Sequence, residues 1–168
     1  MDISTFYALF SATCFTLTGL WWNVVQNRRE WGRDPAMRRT IGGVYLSFFL
    51  PALMGLFAQV GGTESPVIWR ASFVVIALVG GVSMIALVAQ ARGDRQTWSV
   101  VAIQAAAGVV YGAIAVLGVV PEIVGGLGLQ PLQVAALLLI VLIALAHALV
   151  WKFMVESADP KAKVPVDD

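Results

Sequence analysis

The chain has 168 residues, 59% of them hydrophobic and 12% charged, with a net charge of +1 and a mean hydropathy of +0.82. A soluble domain averages about 45–50% apolar and about 25% charged residues, so the composition excludes an ordinary soluble fold, and the near-neutral charge gives no reason to expect a nucleic-acid partner. One cysteine (Cys14) and one histidine (His147) exclude an intrachain disulfide, a Cys-based zinc site and a multi-His metal site, and no cofactor is expected.

A helix needs about 20 mostly apolar residues to cross a hydrocarbon core of about 30 Å. Five runs meet this, at about 3–25, 41–60, 71–91, 99–120 and 132–151, and none holds Asp, Glu, Lys or Arg in its interior. They are continuous rather than alternating, which argues for helices whose backbone bonds close within each segment. The expected fold is therefore an all-α integral membrane protein, a bundle of five transmembrane helices. Residues 1–155 form its one domain, and residues 156–168 a disordered cytoplasmic tail. The first run lacks the cationic segment of a cleaved leader and is read as a retained helix.

The first run carries Ser4, Tyr7, Ser11, Cys14 and Thr18 at steps of three and four residues, which places them on one face. Such a stripe either lines a hydrated path or bonds neighbouring helices and its own preceding turn, and the packing reading is preferred. The connection that follows holds Arg28, Arg29, Arg33, Arg38 and Arg39 beside Trp21, Trp22 and Trp31. This composition suits anionic lipid headgroups, and it also serves as a determinant of sidedness. The second run contains a mid-span proline, Pro51, expected to kink its helix. Gly42-Gly43-Val44-Tyr45 there resembles Gly108-Val109-Val110-Tyr111 in the fourth run, a weak hint of a helix-pair repeat.

In the fourth run Ala105, Gly108, Gly112 and Ala115 line one face, with Gly108 and Gly112 as a GxxxG pair. Small residues let helix backbones approach, so this face is expected to pack tightly on another helix. A contact within one copy is preferred to a contact between copies. Gln104, Tyr111 and His147 are the least expected residues inside spans; each is read as a hydrogen-bonded bundle residue before any role as a ligand or relay. The segment 121–131, rich in Gly and bounded by prolines, is expected to rest on the interface as a loop.

Sidedness follows from Lys and Arg. The segments 27–40 and 92–97 and the C-terminal stretch from Lys152 hold ten of the eleven basic residues, and the opposite side holds only Arg70. The N-terminus is therefore expected outside and the C-terminus inside, in a multi-pass protein of the cytoplasmic (inner) membrane. All six tryptophans fall near span ends, as an aromatic belt requires.

No span holds a carboxylate for ion coupling, and no Ser-His-Asp set, HExxH, P-loop or dinucleotide fingerprint occurs. Enzymatic activity is not expected. The expectation for function is a small oligomeric membrane protein that forms or supports a permeation path. The alternatives are a non-catalytic subunit or scaffold docking a partner membrane protein, and a binder of lipid or another hydrophobic small molecule. Membrane lipids and a second copy or partner protein are the expected partners.

Overall fold

The structure is a computed structural model that describes residues 2–28, 31, 33, 35–62, 65–91 and 98–158. These residues form five helices, α1 (Ile3–Asn27), α2 (Pro35–Gly61), α3 (Pro66–Ala91), α4 (Trp98–Val119) and α5 (Pro131–Ala158), with a short 3-10 helix, Pro121–Leu127, between the last two. All five long helices are long and apolar enough to cross a membrane. The shortest, α4, has 22 residues and so reaches roughly 33 Å at about 1.5 Å per residue.

Three boundaries differ from the hydropathy reading. α2 and α3 begin at Pro35 and Pro66, several residues before their apolar runs, and α5 continues to Ala158. Proline at the first helical position costs nothing, because that N–H has no helical acceptor and the ring presets φ. α2, α3 and α5 all open this way, which hydropathy does not register. Arg38 and Arg39 consequently lie on the first turns of α2, exposed, rather than in a loop. Residues 156–158, expected in the disordered tail, continue α5; residues 159–168 lie outside the described residues. The segment after α4 is a 3-10 helix rather than a loop, with Val124 buried and Gly128 at φ +65° turning the chain into α5.

Neighbours in sequence are neighbours in space. α2, α3, α4 and α5 close a ring in which α2 also meets α5, and α1 lies against the outside of α2 with a slight touch on α5. α2 therefore packs on three helices and is the most buried of the five. It continues through Pro51, which is itself enclosed. Two buried clusters result. The larger runs through the middle of the bundle around Met54, Phe73, Tyr111, Ile114 and Leu139. The smaller joins Trp21, Trp31, Val44, Phe48 and Leu149 at the end that carries the α1–α2 connection.

The most extensive helix–helix contact among the described residues is between α3 and α4. A Cβ on Gly80 would stand 2.6 Å from Cε1 of Tyr111, and one on Gly118 would stand 2.7 Å from Cγ2 of Val74. Gly81, beside Gly80, has nothing nearer than the Tyr111 Cβ at 3.9 Å. Gly80→Ala is therefore expected to destabilise the bundle by about 1–3 kcal/mol, the usual cost of overpacking, while Gly81→Ala is tolerated. Thermal unfolding in mild detergent, followed by tryptophan fluorescence, checks the pair; equal midpoints for the two variants would refute it.

Candidate functional site

The hydroxyl stripe of α1 is buried from Tyr7 to Thr18, whereas Ser4 is exposed. Each buried hydroxyl is committed to packing. Tyr7 Oη donates to the Leu132 carbonyl at 2.7 Å, tying α1 to the start of α5, and Ser11 Oγ donates to the Ala52 carbonyl at 3.1 Å, tying α1 to α2. Thr18 Oγ1 bonds the Cys14 carbonyl one turn back at 2.8 Å. Gly55 of α2 makes the Ser11 contact possible, since a Cβ there would overlap Ser11 Oγ.

Other polar residues are placed less evenly. Gln104 and Tyr111 point into the α2–α5 ring, and neither Gln104 Oε1 nor Tyr111 Oη has a hydrogen-bond partner among the described residues. With Ser47, whose hydroxyl donates to the Val44 carbonyl at 2.7 Å, they line an internal space of about 10 Å³ walled by Met84, Leu142 and Leu149. That volume is about the size needed for a single water molecule. His147, read with them from the sequence, lies elsewhere: it is exposed on α5, its ring 5.5 Å from Phe48 and its Nδ1 2.8 Å from the Ile143 carbonyl.

The small-residue face of α4 is a correction to the preferred reading. Ala105 and Gly112 are exposed, Gly108 and Ala115 are half-buried, and a Cβ on Gly112 would meet nothing within 4 Å. Gly108 approaches a neighbour, with Met84 Cβ 3.5 Å from its ideal Cβ, and Ala115 packs against the larger core cluster. The close α3–α4 contacts fall on Gly80 and Gly118 instead, one helix face away. The repeat hint also fails to carry into three dimensions, because Tyr111 is buried against Gly80 while Tyr45 is half-buried and stacks on Phe49 at 5.3 Å.

The outward residues of α3 and α4 make a seam along the bundle. Ala71, Val75, Leu78, Val82, Ile85 and Ala89 recur at steps of three and four on α3, all exposed. Two grooves are cut into the seam. One, of about 420 Å³, lies between Ile85, Ala89, Ala105, Gly108 and Val109. The other, of about 510 Å³, lies towards the opposite end between Val67, Ala71, Val75, Gly118 and Val119. Small side chains at Ala89, Ala105 and Gly108 leave the first groove open.

No family model, curated protein or solved structure matches this chain. The site residues therefore stand on geometry.

At the end of the α1–α2 connection, Trp21 Nε1 donates to the Ile41 carbonyl at 3.2 Å, and Trp21 and Trp31 both pack edge-on to Phe153, at 5.8 and 5.0 Å between centroids. Arg28 lies over the Trp31 ring with its guanidinium carbon 5.6 Å from the centroid, a cation–π contact. Arg28, Arg33, Arg38 and Arg39 are exposed, and Arg29 lies outside the described residues. The tryptophans divide: Trp22, Trp98 and Trp151 are exposed as belt residues should be, whereas Trp21, Trp31 and Trp69 are buried and serve packing.

One feature escaped the sequence reading. Arg70, near the start of α3, donates from Nε to the Gly118 carbonyl at 3.0 Å and from Nη2 to the Val119 carbonyl at 2.9 Å. It thereby satisfies two of the carbonyls left open at the C-terminal end of α4, where the helix dipole also favours a cation. Its signal in the sequence was its isolation from the other ten basic residues, which gather in the alternate connections and the C-terminal stretch.

The two buried tyrosines give a paired test. Tyr7→Phe removes a made bond and leaves the Leu132 carbonyl without that donor, so it is expected to destabilise by about 1 kcal/mol. Tyr111→Phe removes an unpartnered buried hydroxyl while keeping the ring over Gly80, and is expected to stabilise by about 1 kcal/mol or more. Unfolding midpoints of the two variants in one detergent measure the sign; destabilisation by Tyr111→Phe would reveal a partner on its hydroxyl.

Proposed function

We propose that this chain is a non-catalytic membrane subunit that works by lateral association in the bilayer, through the α4 face of Ala105, Gly108 and Gly112, with a second copy or a partner membrane protein. The observation that carries this reading is the open face at Gly112. In lipid no water-driven force holds helices together, so association depends on close backbone packing, and small residues turned outward permit it. A small-residue face whose Ala105 and Gly112 its own bundle leaves exposed supports such a role. The proposed orientation puts the N-terminus outside and the C-terminus inside the cytoplasmic membrane, on the ten-to-one bias of basic residues.

Permeation becomes the second reading. The α1 hydroxyls are engaged in packing and the ring interior has room for about one water, so a path would have to form between copies and would share the α4 seam.

Gly112→Leu adds a side chain where the bundle has open space, so the fold should survive while association is blocked. Native mass spectrometry from mild detergent is expected to show a discrete oligomer, or a copurified partner, for the native chain, and a bare monomer for Gly112→Leu. A native chain that is monomeric without a partner, or a variant that still assembles, would overturn the reading. If the path lies between copies, ion flux in liposomes is lost with the oligomer. For orientation, a cysteine at Ser4 is expected to react with a membrane-impermeant maleimide in intact cells, and one at Ser157 only after lysis, each in a Cys14→Ala background.

A further inference from the structure

Arg70 is the one basic residue on its side of the sequence-predicted topology, and the structure places it at the rim of the second seam groove. The groove is walled by Val67, Ala71, Val74, Val75, Gly118 and Val119, with Arg70 as its charged member. A guanidinium has five N–H donors in a fixed fork. Two of them hold the Gly118 and Val119 carbonyls, which fixes the orientation of the group. The remaining donors have no carboxylate partner among the described residues.

A fixed cation with free donors, set beside an exposed apolar groove of about 510 Å³, is complementary to a molecule with one anionic head and an apolar tail. The planar fork suits a phosphate oxygen pair. The geometry points to a binding site for an anionic phospholipid, with its phosphate on Arg70 and an acyl chain along the groove between α3 and α4. The charge selects the head, and the groove selects a lipid over free phosphate. Because the phosphate and the α4 carbonyls share one guanidinium, bound lipid also braces the α3–α4 end. The site does not rest on the association reading, since it uses the opposite end of the seam from Ala105 and Gly108.

The arginines at the other end of the bundle also attract anionic lipid, so the test must report locally. A photoreactive benzoylphenylalanine at Val75, which is exposed in the groove wall, captures lipid at this site in nanodiscs made from phosphatidylglycerol and phosphatidylcholine with identical chains. The expected result is a phosphatidylglycerol adduct favoured about fivefold over its share of the bilayer, near the effect of one basic residue on an anionic lipid. Arg70→Gln is expected to abolish the preference, and added glycerol phosphate is expected not to compete. Because Arg70→Gln also uncaps α4, Ala71→Trp provides a second variant: it fills the groove from an exposed position, keeps Arg70, and is expected to reduce the phosphatidylglycerol adduct. The same preference is expected in Gly112→Leu, which separates this site from assembly. Equal capture of both lipids by the native sequence, a preference that survives both Arg70→Gln and Ala71→Trp, or full competition by glycerol phosphate would overturn the proposal.

Discussion

The bundle depends on how closely α3 and α4 approach. Lipid chains are as apolar as leucine, so burying apolar surface between two helices in a membrane gains little; the gain comes from packing and from satisfied polar groups. Tyr111 against Gly80, Val74 against Gly118 and the Arg70 bonds to the end of α4 supply both along one line. That pairing turns the ring of Tyr111 inward and, with it, the face of α4 that carries Gln104. It also turns Gly112 outward. Which residues meet lipid is a consequence of which glycines were used for this contact.

α1 is held by a different means. It lies outside the ring and is joined to it by side chains that bond carbonyls on other elements: Tyr7 to Leu132, Ser11 to Ala52 and Trp21 to Ile41. In a medium with no competing water, a donor placed opposite a second lone pair of a helical carbonyl is an effective fastener, worth on the order of 1 kcal/mol or less each. The hydroxyl stripe of α1 is thus an attachment strip. Two of the buried polar groups without a partner among the described residues, on Gln104 and Tyr111, sit together in the ring, where they cost stability unless something small joins them.

The two ends of the bundle are also unlike. One is closed by aromatic rings, with Trp21 and Trp31 against Phe153 and Arg28 over Trp31, and exposed arginines around them. The other is closed by short covalent turns, a 3-10 helix and a single arginine engaged with backbone. The asymmetry of basic charge between the two ends is accompanied by an asymmetry in packing.

The five spans, the absence of charge inside them and the concentration of basic residues at alternate connections were legible in the residues themselves, because the cost of placing charge or open backbone in hydrocarbon is local to each segment. Face assignment was not. A soluble helix announces its buried side by the contrast of apolar and polar residues, but these helices are apolar all round, and that contrast vanishes. The 3-4 spacing of Ala105, Gly108, Gly112 and Ala115 showed that they share a face without showing what it meets. Tyr45 and Tyr111 follow similar glycine-containing segments, yet one stacks on Phe49 and the other is enclosed. His147 and Gln104 looked alike as isolated polar residues and ended on opposite sides of the ring wall. Arg70 counted only as a charge until the end of α4 was set beside it. The sequence alone determined how many times the chain is able to cross a membrane and where its positive charge gathers; the tertiary structure decided which small, polar and charged residues meet one another, because those pairings depend on steric fit between helices far apart in the chain.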